Sequence, residues 1–285
     1  MTRFGAHAFI WEASWEIEAA ARAVRSAADA GLDFIEIPLL RPEALDVGAN
    51  RSLLDDHGIA ATCSLGLPAD RSFPQQPEAA VSFLRSAVEV AASLKSPVLT
   101  GVLYGSLGAL PGHAPTEEER VVVADGLRRV ARHAKSLGVR IGLEPVNRYE
   151  THLVNLAEQA LDLIERIGEE NVFLHLDTYH MNIEEKGFAE PILNAGRRLA
   201  YIHLSESDRG VPGTGNVVWD DVFRALAEID YDGDLVLESF VAVNPDIARA
   251  TCMWRQVAPD SGTLIREGKA FLQKKAASFG LIEHR

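Results

Sequence analysis

The chain has 285 residues, 47% of them hydrophobic, which suits one barrel-sized core and is long for a single sandwich. Its 28 basic against 41 acidic residues give a formal charge of −13, which repels phosphate backbones and anionic bilayers and so excludes nucleic acid and membrane as expected partners. The two distant cysteines, Cys63 and Cys252, have no metal-binding spacing. No run approaches about 18 apolar residues, and the N-terminus is too polar for a signal peptide, so a cytoplasmic protein in a reducing compartment is expected.

Short apolar runs alternate with amphipathic stretches along the chain. Arg3–Trp11 reads as a first strand, and Trp15–Ala30 as a helix stopped by Gly31. Asp33–Leu39 is the second run, followed by helical spacing over Pro42–His57 that ends at Gly58. Ile59–Leu65 and Pro97–Leu103 are the third and fourth runs, followed by helices over Pro77–Lys95 and Thr116–Leu137 respectively. The latter opens with Thr-Glu-Glu-Glu, a capping signature. Val139–Glu144 is the fifth run, with a helix over Leu153–Ile167. Val172–Asp177 is the sixth, with a helix around Pro191–Arg198. Leu199–Leu204 is the seventh, with Val218–Ile229 behind it; Leu235–Ser239 is the eighth, and Gly262–Phe279 closes the chain.

Eight strand-like runs, each followed by a helix pattern, predict an α/β protein with a single (β/α)8 TIM barrel, one domain over residues 1–285. A doubly wound open sheet is the rival, and it is disfavoured by the absence of a G-x-G-x-x-G turn.

Catalytic groups of such barrels lie at the C-terminal strand ends. The fifth run ends at Glu144, the sixth at Asp177 and the eighth at Glu238, and His203 stands near the end of the seventh. Four successive strands therefore bring a metal-capable side chain to one rim, each inside an apolar run where a lone charge is costly. Taken singly, each carboxylate reads equally well as a helix cap or ion-pair partner, and His203 as a core histidine. The joint pattern favours one divalent ion. Three oxygens and one imidazole suit Mn²⁺, Mg²⁺ or Co²⁺ better than a thiolate-seeking metal, with zinc an alternative. His175 shares the strand face of Asp177 and reads as a hydrogen-bonded barrel-interior histidine. Gly210–Asn216 suits a rim loop and lacks the Lys and Ser/Thr of a phosphate-binding P-loop.

The segments EPVNRYE (Glu144–Glu150), HLDTYHMNIEE (His175–Glu185), HLSESDRGVPGTGN (His203–Asn216) and LESF (Leu237–Phe240) resemble the ketose 3-epimerases, the family of D-tagatose, D-allulose (D-psicose) and L-ribulose 3-epimerases among the xylose-isomerase-like barrels. The likeness runs from FGAHAFIW through GLDFIEI and CSLGLP to Trp254-Arg255. It implies a metal site of Glu144, Asp177, His203 and Glu238, usually holding Mn²⁺, with Glu144 and Glu238 also acting as the two acid/base carboxylates. It implies that Glu150, His180 and Arg209 hold the sugar near O1, O2 and O3, with Trp15 lining the outer pocket and Ser64 near another sugar contact. It further implies a free ketose as substrate and a homodimer or homotetramer.

The chemistry agrees with these residue types. Epimerising C3 of a ketose removes a weakly acidic carbon-bound proton and returns it on the opposite face. A Lewis acid stabilises the developing cis-enediolate. Two carboxylates on separate strands can alternate as base and acid, Arg209 supports the charge, and Glu150 and His180 fix orientation. Pro145, in EPVN, and His7 depart from the family pattern. E-P-x-N is also similar to hydroxypyruvate isomerases. An aldose–ketose isomerase and a non-catalytic sugar-binding barrel are therefore the alternatives; a metal-dependent endonuclease is set aside by the acidic charge and lack of a basic stripe.

Overall fold

The structure is a computed structural model that describes residues 2–282. Eight parallel strands close into one barrel in sequential order: β1 (Phe4–His7), β2 (Phe34–Pro38), β3 (Ala60–Leu67), β4 (Val98–Ser106), β5 (Arg140–Leu143), β6 (Val172–Asp177), β7 (Leu199–Leu204) and β8 (Asp234–Leu237). The (β/α)8 architecture expected from the alternation is the one observed. Helices α1 (Ile17–Asp29), α2 (Val47–His57), α3 (Pro77–Ser93), α4 (Glu117–Ser136), α5 (Ala157–Ile167), α6 (Thr178–Glu184), α7 (Ala189–Ala195), α8 (Trp219–Glu228) and α9 (Pro245–Thr251) surround it, with a closing helical stretch from Ser261 to Ser278. No helix among the described residues is long and apolar enough to cross a membrane.

The helix ends follow local chemistry. Thr116 and Glu119 make a reciprocal capping box that opens α4. α2 and α5 stop at Gly58 and Gly168, both left-handed at φ 62° and 69°. The expected boundaries shift where side chains compete with the ladder. β1 ends at His7 rather than Trp11, because His7 Nδ1 accepts from Phe9 N at 3.1 Å and starts a 3-10 turn over Ala8–Ile10. α5 starts at Ala157 rather than Leu153. Asn155 Nδ2 there donates to the Val146 and Thr151 carbonyls, and the Gln159 carboxamide accepts from Asn155 N and Leu156 N. α6 and α9 are additional to the helices that the spacing predicts.

The barrel interior is layered by the period-2 alternation of the strands. At the bottom Phe34, Val98, Phe173, Tyr201 and Val236 form a separate apolar plug. Two residues further along the same strands come the buried polar groups Glu36, Thr100, His175 and His203. The layers fit because small residues face large ones. A Cβ on Gly5 would lie 2.3 Å from the Phe34 ring, and one on Gly142 would lie 2.2 Å from Thr100 Oγ1. The larger core fills the space between strands and helices.

Candidate active site

Register alone brings two of the four expected metal groups side by side, since Asp177 pairs with His203 across β6 and β7. Glu144 and Glu238 each follow the last residue of β5 and β8. Glu144 is anchored through its backbone, its N–H donating to the Gly101 carbonyl at 3.1 Å and its carbonyl accepting from the Tyr104 hydroxyl at 2.7 Å. His203 Nδ1 stands 3.2 Å from Glu238 Oε1 and 3.7 Å from Glu144 Oε1. Donor atoms of Asp177, His203 and Glu238 lie within 4.8 Å of one another. All four side chains are buried. Asp177 serves both readings open to it in the sequence: Oδ1 caps α6 by accepting from Tyr179 N at 2.7 Å, and Oδ2 faces the cluster.

These residues fit a divalent cation. Asp177 Oδ2 and His203 Nδ1 are buried without a hydrogen-bond partner, so two donors are directed at a centre that protein groups do not satisfy. The opposite face of His203 is committed: Nε2 donates to Glu36 Oε2 at 2.8 Å, and Tyr201 donates to the same oxygen at 2.7 Å. A histidine held this way through one nitrogen presents the other as a ligand. His175 stays outside the cluster as a barrel-interior histidine bonded to Thr100 Oγ1 at 2.9 Å.

The electrostatics agree. Burial pushes the Glu144 carboxyl well above the ordinary range, and burial with the Glu238 charge raises Asp177 to about 7. Burial also opposes charge on Glu238, but Arg209 and His203 outweigh it and hold Glu238 well below the usual carboxylate value. Burial likewise opposes charge on His203, yet Glu36 and Glu238 outweigh it and raise it well above 6.5, so a bound cation would take the place of the Nδ1 proton. Crowded carboxylates resisting ionisation are what a divalent cation relieves.

Above the cluster lies a cavity of about 650 Å³ reached by Trp15, Ser64, Glu150, His180 and Arg209, every residue the resemblance assigned to the sugar. Arg209 is buried between the Tyr179 and Phe240 rings, 4.2 and 4.5 Å from their centroids. Its guanidinium contacts Glu238 and lies 3.6 Å from Asp177 Oδ2. Its backbone is left-handed at φ 61°, a conformation held by Arg209 N donating to the Glu206 carbonyl and Ser239 Oγ donating to the Arg209 carbonyl. His180 Nδ1 accepts from the Asn147 backbone N–H at 3.0 Å, and its Nε2 lies 3.2 Å from the Arg209 guanidinium, toward the cavity. Burial and the Arg209 charge keep that ring neutral. Asn147 also donates to Glu150 Oε1 at 2.8 Å. Trp15 Nε1 donates to Asn50 Oδ1 at 2.9 Å.

Comparison with known proteins gives the chain a lineage. Residues 24–275 match the family model of the xylose isomerase-like TIM barrel. The chain is 41% identical to an L-ribulose 3-epimerase of Methylomonas sp. (strain DH-1) over 95% of this chain and 97% of the relative. It belongs to the ketose 3-epimerase family. A ketose 3-epimerase of Arthrobacter globiformis is 37% identical over 99% of both chains. The crystal structure of a D-allulose 3-epimerase from Methylomonas sp. in complex with D-allulose superposes with a TM-score of 0.93, at 39% identity, covering 96% of this chain and 97% of that one. Ketose 3-epimerases are carbohydrate isomerases, and the chain is an enzyme of that class.

Three supporting residues of this family member escaped the sequence reading. Glu36, in GLDFIEI, is a lone acid in an apolar strand, and the cost argument that singled out Glu144 applies to it equally. Asn147 lies inside EPVNRYE and links Glu150 to His180. Glu206 gathers the rim loop, accepting from Ser207 N, Gly213 N, Val217 N and Trp219 Nε1. No local pattern distinguishes that carboxylate from its acidic neighbour Asp208.

Proposed function

We propose that the chain is a metal-dependent 3-epimerase of free ketoses of the D-tagatose, D-allulose/D-fructose and L-ribulose type. The observation that carries this reading is the placement of Glu144 and Glu238, two buried carboxylates from strands β5 and β8 that both approach His203 beneath one sugar-sized cavity. Glu144, Asp177, His203 and Glu238 would hold one divalent ion, Mn²⁺ first, then Co²⁺ or Mg²⁺. When bound, that ion supplies Lewis-acid stabilisation of negative charge developing on the sugar oxygens. Arg209 adds a fixed positive charge, and Glu150 and His180 orient hydroxyls from the rim. Of Glu144 and Glu238, one takes the C3 proton and the other returns it on the opposite face, the roles exchanging with direction. Trp15 and Ser64 shape the outer cavity. A cytoplasmic homodimer or homotetramer completes the reading.

The test is turnover of D-tagatose, D-allulose, D-fructose and L-ribulose in D₂O, with Mn²⁺ and after chelation. Deuterium at C3, lost with the metal, is expected. Deuterium at C1 or C2 identifies an aldose–ketose isomerase, and binding without exchange identifies a sugar-binding barrel. Glu144→Gln and Glu238→Gln are each expected to lower kcat by about 10²–10⁴-fold; full turnover in both would sink the two-carboxylate mechanism.

A further inference from the structure

A second group of metal-capable side chains lies apart from the barrel axis. One donor atom each of His113, Glu119 and His152 falls within a common 4.8 Å. They come from three places in the chain: His113 from the β4–α4 loop, Glu119 from the first turn of α4, and His152 from the β5–α5 loop. His113 and Glu119 are each already oriented by a partner that leaves one donor atom over. His113 Nδ1 donates to the Ala114 carbonyl at 2.9 Å, so Nε2 carries the free lone pair. Glu119 Oε2 accepts from Thr116 N at 2.8 Å in the capping box, so Oε1 is the oxygen that faces His152 Nε2, at 3.3 Å. His152 is nine-tenths buried with no hydrogen-bond partner at Nδ1, and it presents Nε2 to Glu119 Oε1. The His113 and His152 rings meet edge to face with centroids 5.7 Å apart.

We propose that His113, Glu119 and His152 form a second metal site that takes a borderline transition-metal ion of the Zn²⁺, Ni²⁺ or Cu²⁺ type. Tetrahedral ligands about 2.0–2.1 Å from zinc stand about 3.3 Å from one another, the separation already present between Glu119 and His152. Two imidazoles and one carboxylate select these ions over Mg²⁺ and Ca²⁺, and three protein ligands leave a position for water. The ion would clip together two loops that are already joined, since Gly108 N donates to the Glu150 carbonyl at 2.7 Å and Ala109 bridges to Thr151. Leu107 and Glu150, on those loops, line the main cavity.

The test counts metal on Mn²⁺-loaded protein equilibrated with Zn²⁺ and desalted. Wild type is expected to keep one metal ion per chain more than His113→Ala, whose side chain is exposed and whose fold is not at risk, and more than His152→Gln. With Cu²⁺ as probe, the electron paramagnetic resonance signal should carry coupling to two imidazole nitrogens, and His113→Ala should lose that pattern. His203→Ala should keep the two-nitrogen signal, which separates this site from the barrel centre whatever the outcome there. Equal total metal in wild type and His113→Ala, or a copper signal unchanged by that substitution, overturns the proposal and leaves the group a hydrogen-bonded His–Glu pair.

Discussion

Glu36 decides which nitrogen of His203 faces the cavity. It accepts from His203 Nε2 and Tyr201 through one oxygen, while its other oxygen lies 3.7 Å from His7 Nε2. Burial works against its charge, but His203 outweighs that and holds the carboxyl down at about 2. Glu36→Gln is expected to weaken Mn²⁺ binding by about 10–100-fold in calorimetric titration, since the imidazole loses its orienting charge; unchanged affinity would remove Glu36 from that role. Glu150 has the opposite balance, because burial pushes its carboxyl from 4.5 to about 6. A carboxyl raised on folding leaves the fold most stable below its unfolded value, and that stability is lost as pH rises through the folded value. Glu150→Gln should therefore match wild type near pH 4 and exceed it above pH 6 by up to about 2 kcal/mol in urea unfolding. A difference that does not vary with pH contradicts this.

At the scale of elements, the loop between β7 and α8 shows how a rim segment without regular structure is held. The Glu206 carboxylate accepts four N–H groups drawn from residues 207–219. A Cβ on Gly215 would lie 2.5 Å from that carboxylate, so glycine there lets the loop close around it. Arg209 sits on this loop, bonded through its backbone N–H to the Glu206 carbonyl. Glu206→Ala strands those donors and should cost about 2–4 kcal/mol in chemical denaturation, with faster proteolysis inside residues 207–217. A cost under about 0.5 kcal/mol, the usual range of a surface change, counts against the loop's dependence on Glu206.

For the whole molecule, the proposed cation joins four strands, β5 to β8, that are otherwise tied by backbone ladders. A ligand bound only by the folded state stabilises it by mass action. Free Mn²⁺ at 100 times its Kd should add about 2.7 kcal/mol to unfolding, seen as a rise in Tm that chelation reverses. An identical Tm with and without chelator would mean that no such ion is bound by the native barrel. The acidic charge of −13 works in the same direction, since the protein as a whole attracts cations.

Much was legible from the sequence alone. The alternation of apolar runs with helical spacing determined the barrel, because closed parallel sheets bury both strand faces and so write continuous apolar runs. The strand-end rule located Glu144, Asp177, His203 and Glu238 on one rim, because each is a charged or polar break in such a run. The helices α6 and α9 and the early end of β1 were not legible, since short elements beside the site are set by side-chain bonds such as Asp177 to Tyr179 N and His7 to Phe9 N. Tertiary structure alone decided that Asp177 is cap and cluster member at once, that Glu36 lies behind His203, and that His113, Glu119 and His152 meet. Each depends on contacts between residues 33 or more apart in the chain or on which of two equivalent atoms points inward, and local spacing carries neither.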